Sequence, residues 1–192
     1  MELLEQRAPA PLQPAVTDVR EEVQQMAELV GELLAFTRAG LQPPAAARQP
    51  LPLAPLVAEA LAREDAGERV AVAVPGDLVA LGDAALLRRA IGNLVRNALR
   101  YGGGAARLGA RRDGAAIVVQ IDDDGPGVPA AALARLGEPF FRPESARARE
   151  TGGVGLGLTI VRSSVAACGG EVRFANREPH GFRAELRLAA AE

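Results

Sequence analysis

The chain has 192 residues, with 22 basic and 24 acidic side chains, one histidine and a formal net charge of −2. Every basic residue is arginine, which excludes a Walker A loop and a protein-kinase strand lysine, and the charge balance excludes a general nucleic-acid binder. The single cysteine, Cys168, permits no intramolecular disulfide and fits a reducing cytosol, and without a long apolar run or a signal peptide the chain is expected neither to span a membrane nor to be exported.

In chain order, Met1 to Arg7 reads as a helical scrap, broken by the prolines of the segment from Ala8 to Pro14. Val16, Val19, Val23, Met26, Val30 and Leu33 then follow at spacings of 3, 4, 3, 4 and 3, the seam of a coiled-coil-like helix over residues 16–39. Two readings are open: an amphipathic helix packed on its own domain, or half of a helical hairpin in a dimeric bundle. The narrowness of the seam and the proline-rich stretch behind it, from Gln42 to Pro55, favour the hairpin.

The next segments predict a helix from Leu53 to Glu64, a strand from Arg69 to Val74 and a short strand from Leu78 to Leu81. Asp83 is placed to cap a long helix running to Arg100, whose apolar face carries Leu86, Leu87, Ala90, Ile91, Leu94, Val95 and Ala98. Residues Ala105 to Arg111 and Ala115 to Ile121 predict a hairpin around Asp113-Gly114. A short helix near 130–136, a helix from Leu156 to Ala167 and strands near 171–175 and 182–188 complete the chain. Strands and helices mix without alternating, so the fold class is α+β. The expected architecture is a two-layer sandwich of a mixed β-sheet and about three helices, preceded by the coiled-coil-like helix.

Three clusters on these elements carry the chemistry. Asn93 and Asn97 lie four apart on one face of an otherwise apolar helix, where amides are costly unless something satisfies them. Asp122, Asp123 and Asp124 end an apolar strand, and Gly125-Pro126-Gly127 lets the following turn pass close to a ligand. Gly152-Gly153-Val154-Gly155-Leu156-Gly157 precedes a helix, whose free N–H groups and dipole suit phosphate oxygens. It is not the dinucleotide fingerprint, because position 158, where the third glycine would fall, is leucine.

In this order and at these intervals the clusters resemble the ATP-binding domain of bacterial sensor histidine kinases, within the superfamily shared with gyrase and MutL. The resemblance covers about residues 53 to 188. It implies phosphoryl transfer from Mg·ATP to a histidine and thence to a response regulator aspartate. Asn97 would supply its carbonyl oxygen to Mg²⁺, with Asn93 beside it on the nucleotide. Asp123 would accept the adenine amino hydrogen, and Gly125 and Gly127 correspond to the glycines of that turn. Gly153, Gly155, Leu156 and Gly157 would line the phosphates. The segment from Glu138 to Thr151 would be the ATP lid, with Arg142 as a γ-phosphate contact and Arg147 and Arg149 as solvated lid charges. Arg100 would lie near the phosphates and Tyr101 against the nucleotide. In Pro139-Phe140-Phe141-Arg142, similar to the family's phenylalanine motif, Gly137 stands where a phenylalanine is usual.

Where gyrase and MutL relatives carry a water-activating glutamate, this chain has Asn93, and an amide cannot take that proton, which implies poor ATP hydrolysis. His180 sits in Glu178-Pro-His-Gly181, a surface turn read as lying at the far end of the sheet, and no acceptor motif of His-Glu with Thr-Pro is present. The expected organisation is thus residues 1–41 as a partial dimerisation hairpin without its phosphoacceptor, 42–52 as linker and 53–192 as the ATP-binding catalytic domain. Implied partners are the rest of the kinase with its acceptor helix, a second protomer through the hairpin and a response regulator receiver domain, with no nucleic acid. The implied location is the cytoplasmic side of an inner-membrane-anchored parent. The alternatives are a non-catalytic nucleotide-binding regulatory module, or another branch such as an anti-sigma serine kinase or a gyrase-like ATPase.

Overall fold

The computed structural model of the chain describes residues 48–143 and 155–191. The coiled-coil-like seam, Gly153, Arg147 and Arg149 lie outside the described residues. Strand β1 (Gln49–Pro52) leads directly into helix α1 (Leu53–Arg63). A short 3-10 turn, Gly67–Arg69, precedes β2 (Val70–Ala73) and β3 (Val79–Gly82). Helix α2 (Ala84–Tyr101), the hairpin of β4 (Ala106–Asp113) and β5 (Ala116–Asp123), and the four-residue α3 (Ala130–Leu133) follow. Helix α4 (Gly157–Ala167), β6 (Glu171–Asn176) and β7 (Phe182–Ala189) complete the described elements.

The main sheet has the order β2-β4-β5-β7-β6, with β2 parallel to β4 and every other pair antiparallel. It is therefore mixed, and the α+β two-layer architecture expected from the sequence is what the chain adopts. Helix α2 packs between α1 and α4 and also meets β4 and β5. Its buried positions include all seven residues of the predicted apolar face. Asp83 caps it: Oδ1 accepts from the N–H groups of Ala85 (2.8 Å) and Leu86 (3.0 Å), so two orphan donors are satisfied by side chain. Leu53, Leu56, Val57 and Ala60 supply the inward stripe of α1. Across the helices lie Leu108, Ile117, Val119, Ile121, Leu186 and Leu188, all buried.

Period-two alternation turns the other residues of these strands to the opposite face. There the register sets Ala175, Arg183, Asp122 and Arg107 in one row across the sheet. The hairpin turn sits one residue later than predicted. Asp113 pairs with Ala116, and Gly114, at φ +60°, takes the first central position, where a II′ turn needs positive φ.

Two expectations differ from what the fold shows. The last four residues of the stretch read as linker form β1, which pairs antiparallel with β3 from Gln49↔Gly82 to Pro52↔Val79. Prolines are tolerated there because β1 belongs to a two-stranded sheet and, among the described residues, pairs along one edge alone. The turn carrying His180 is not remote from the acidic cluster. Asp123 pairs with Phe182, so the β6–β7 turn and the end of β5 share one end of the sheet.

Candidate functional site

Strand alternation sorts the three aspartates. Asp122 points to the outer face, where Arg183 grips it through two bonds of 2.8 Å and Arg177 adds a contact at 3.4 Å. Asp124 is exposed and accepts from Arg107 (2.8 and 2.6 Å) and Arg177 (2.7 Å), and these guanidinium partners hold its carboxyl far below the usual carboxylate range. Asp123 alone points inward and is 6% exposed.

The inward carboxylate is half committed. Its Oδ1 accepts from the N–H of Gly125 (2.9 Å) and of Phe182 (3.2 Å). Its Oδ2 has no hydrogen-bond partner among the described residues. Burial pushes the Asp123 pKa up, and the two backbone N–H groups oppose that shift. An acceptor oxygen left without a partner on a largely buried side chain suits a ligand N–H donor.

Two glycines make room for this arrangement. Gly102, just past α2, has Asp123 against the place where a side chain would begin, and Gly125 packs on the Tyr101 carbonyl at 2.6 Å from an ideal Cβ. The turn is then tied to the sheet by Asn176. Its Oδ1 accepts from Val128 N–H at 2.9 Å and its Nδ2 donates to Val128 O at 2.7 Å. At Gly127, with φ +71°, a Cβ would meet Asn176 Oδ1 at 2.8 Å, so glycine is required there for both conformation and space.

One turn back along α2 Asn97 is partly buried, and a turn further back Asn93 is buried. The first residue of α4, Gly157, faces both: an ideal Cβ would lie 3.7 Å from Asn93 Oδ1 and 3.8 Å from Asn97 Nδ2. The expected pairing of the Asn cluster with the glycine-rich segment is therefore present in space. Arg96 Nη1 approaches Asn93 Oδ1 at 3.4 Å, while Glu64 holds the same guanidinium through two 2.8 Å bonds. The Asn97 side chain makes no hydrogen bond among the described residues, so its amide is open. A neutral amide oxygen fits a hard cation that keeps waters and takes phosphate oxygens, and the helix N-terminus beside it suits those phosphate oxygens. Among the described residues no three carboxylates, histidines or cysteines cluster into a metal cage of their own.

The remaining predicted residues fall around these. Leu156 is 1% exposed and packs with Ile160 apart from the main core. Gly155, at φ +83°, lies against Phe140, Phe141 and Arg142, an ideal Cβ being 3.2 Å from Arg142 Cγ. Arg142 thus sits against Gly155 of the glycine-rich segment. Arg100 and Tyr101 end α2, with the guanidinium 5.8 Å from the Tyr101 ring centre.

Several working residues carried no motif. Arg162 of α4 runs its stem over Gly137, where an ideal Cβ would lie 2.4 Å from Arg162 Cδ, and its guanidinium stands 5.4 Å from the Phe174 ring centre. The space expected for a phenylalanine side chain is filled by an arginine. Arg177 and Asn176 were also missed; a polar pair directly after a strand was the one available signal. His180 is exposed, as expected, with Nδ1 3.1 Å from Asp124 O. Buried Cys168, whose Sγ accepts from Asp83 N–H at 3.4 Å, has its thiol pKa raised by burial and is a packing residue.

Residues 82–192 match the model of the family described as histidine kinase-, DNA gyrase B-, and HSP90-like ATPase. The sensor histidine kinase GtrS of Pseudomonas aeruginosa is 48% identical over 102 residues, covering 53% of this chain and 20% of that protein. The sensor protein KdpD of Mycobacterium tuberculosis is 40% identical over 126 residues, covering 65% of this chain and 14% of that one. The chain thus spans a fifth or less of the length of these two relatives. Full-length ShkA, solved in complex with AMPPNP, superposes with a TM-score of 0.76 at 29% identity, over 98% of this chain and 42% of that one.

Proposed function

Because this chain belongs to the histidine kinase-, DNA gyrase B-, and HSP90-like ATPase family, with sensor histidine kinases among its relatives, we propose that it is the ATP-binding catalytic domain of a two-component sensor kinase. It passes the γ-phosphoryl of Mg·ATP to a histidine on a dimerisation hairpin, from which a response regulator aspartate takes it. The observation that carries this reading is the approach of Gly157 to Asn93 and Asn97, which sets a bare helix N-terminus opposite two amides.

In this reading each residue does one task. Asp123 Oδ2 accepts the adenine amino hydrogen and so rejects guanine, which offers a carbonyl there. Gly125 and Gly127 let the turn run along the base, with Tyr101 beside it. The N-terminal turn of α4, with Gly153, Gly155, Leu156 and Gly157, receives phosphate oxygens through backbone N–H groups. Asn97 offers its amide oxygen to Mg²⁺, and Asn93 lies alongside. Bound Mg²⁺ would neutralise phosphate charge. Arg142 meets the γ-phosphate and Arg100 lies near the phosphates. Catalysis rests on positioning and on charge, since phosphoryl transfer asks little covalent chemistry of the protein.

Residues 1–41 are assigned to part of the dimerisation hairpin, residues 42–52 to the linker, whose last four residues pair as β1 with β3, and residues 53–192 to the catalytic domain. Partners are the acceptor helix, a second protomer and a receiver domain, on the cytoplasmic side of the membrane. Among the described residues no helix is long and apolar enough to cross a membrane. Titration calorimetry tests the nucleotide reading: Mg·ATP binds to the wild type and Mg·GTP binds much more weakly. Equal binding of the two overturns the assignment of Asp123.

A further inference from the structure

We propose that Arg177 is a positioning residue for base recognition, holding the Asp123 backbone so that its free carboxylate oxygen faces adenine. The inference rests on the nucleotide reading above and adds to it a residue that lies outside every motif of the sequence. One guanidinium reaches three consecutive aspartates. Nη1 donates to Asp123 O at 2.7 Å and to Asp124 Oδ1 at 2.7 Å, and Nε stands 3.4 Å from Asp122 Oδ2.

The two carboxylates it touches do not depend on it. Asp122 keeps two bonds from Arg183, and Asp124 keeps two from Arg107. What neither of those arginines supplies is the bond to the Asp123 carbonyl. That carbonyl follows the Cα that carries the inward carboxylate, so fixing it limits rotation about the Cα–C bond of Asp123. With Oδ1 already tied to Gly125 and Phe182, the direction of Oδ2 is then set. A group held within a few tenths of an ångström reads a hydrogen-bond donor far better than a loose one.

The turn is shaped for this reach. Arg177 N–H donates to Gly181 O at 2.9 Å, closing the loop between β6 and β7. Gly181 has φ +112°, and an ideal Cβ on it would stand 2.3 Å from Asp123 O and 2.9 Å from Arg177 Nη1. Any side chain at 181 would displace the guanidinium from the carbonyl it holds.

The test uses two ligands that differ by one group: ATP, and purine riboside 5′-triphosphate, which lacks the 6-amino group that Asp123 would bind. Affinities are measured by titration calorimetry for the wild type, Arg177→Ala, Arg177→Lys and Arg183→Ala. Arg177→Ala is expected to weaken ATP about tenfold while leaving the analogue within about twofold, since the lost interaction belongs to the amino group. Arg177→Lys should recover part of the ATP preference through its single donor. Arg183→Ala should leave the preference intact, because it removes an Asp122 partner and not the carbonyl bond. An unchanged ATP preference in Arg177→Ala overturns the inference, as does an equal loss for both ligands. Should Arg177→Ala fail to fold, Arg177→Lys decides alone: a preference between that of the wild type and none supports the inference, and a wild-type preference overturns it. A wild type that does not distinguish the two ligands overturns the reading of Asp123 itself.

Discussion

Asp123 rests against Gly102 so closely that a methyl group on the glycine would stand 2.2 Å from the aspartate Cβ and 2.4 Å from the Ala98 carbonyl oxygen. The end of α2 and the end of β5 therefore meet through hydrogen atoms alone, and the acceptor carboxylate is held at the mouth of the proposed base site by that contact.

Gly102→Ala should break it. Neither neighbour is a flexible side-chain tip, so the helix end or the strand end must shift, at an overpacking cost of about 1–3 kcal/mol. Thermal unfolding should show the loss, and ATP binding should weaken with it. Gly76→Ala is the control, since nothing lies within 4 Å of a Cβ there. Equal melting temperatures for the two variants would contradict the packing account.

Asp123→Asn should separate stability from recognition. Burial raises the Asp123 pKa, so between the ordinary carboxylate value and the raised one the folded chain binds more proton than the unfolded chain. Stability in that window falls as pH rises, and at neutral pH the fold carries the full cost of the buried charge. The amide keeps an oxygen for the N–H groups of Gly125 and Phe182 and removes the charge, so the melting temperature without nucleotide should rise. Its NH₂ would face the adenine amino donor, and ATP affinity should drop by about 1–3 kcal/mol. Wild-type ATP affinity should increase with pH as Asp123 ionises; a flat profile in acid would count against it.

Asn97→Ala should remove the dependence of ATP affinity on Mg²⁺ while sparing the fold, because no hydrogen bond of the described residues is lost with the side chain. Asn93→Glu should raise slow ATP hydrolysis, since a carboxylate there can take a proton from water. Affinities measured with and without Mg²⁺, and steady-state phosphate release, check both. A wild-type affinity indifferent to Mg²⁺ would refute the role of Asn97.

Gly137 and Arg162 should be coupled. Gly137→Ala places a side chain at φ +88°, a strain of about 1–2 kcal/mol, and pushes the Arg162 stem away from Phe174. In the Arg162→Ala background the steric part of that cost disappears, so the double variant should be less destabilised than the sum of the singles. Strict additivity in thermal unfolding would show that the stem does not occupy that space.

Local signals explain what was legible in the sequence. Asp83 announced the cap of α2, the spacing of its apolar residues announced the buried face, and Gly114 announced the hairpin. The three clusters announced the site because each is a short run of costly or unusual residues. What escaped depends on pairing between distant segments. The strand status of Gln49–Pro52 follows from its partner β3, and its prolines argued locally for a linker. The nearness of His180 to Asp124 follows from the pairing of β5 with β7, which a turn sequence does not encode. Arg177, Asn176 and Arg162 act at a distance from their own positions in the chain, and beyond a polar pair at a strand end nothing beside them marks it.

The central claim is phosphoryl transfer to a histidine carried by another helix, and labelled ATP tests it most directly. The chain is incubated with γ-labelled Mg·ATP, with and without a separately supplied dimerisation hairpin bearing a phosphoacceptor histidine. Acid-labile label is expected on the hairpin, weakly, because no linker holds the two at high effective concentration. None is expected on this chain alone, whose one histidine lies in an exposed turn. Label on this chain that vanishes in His180→Ala, or a hairpin left unlabelled by a chain that binds ATP, would contradict the account.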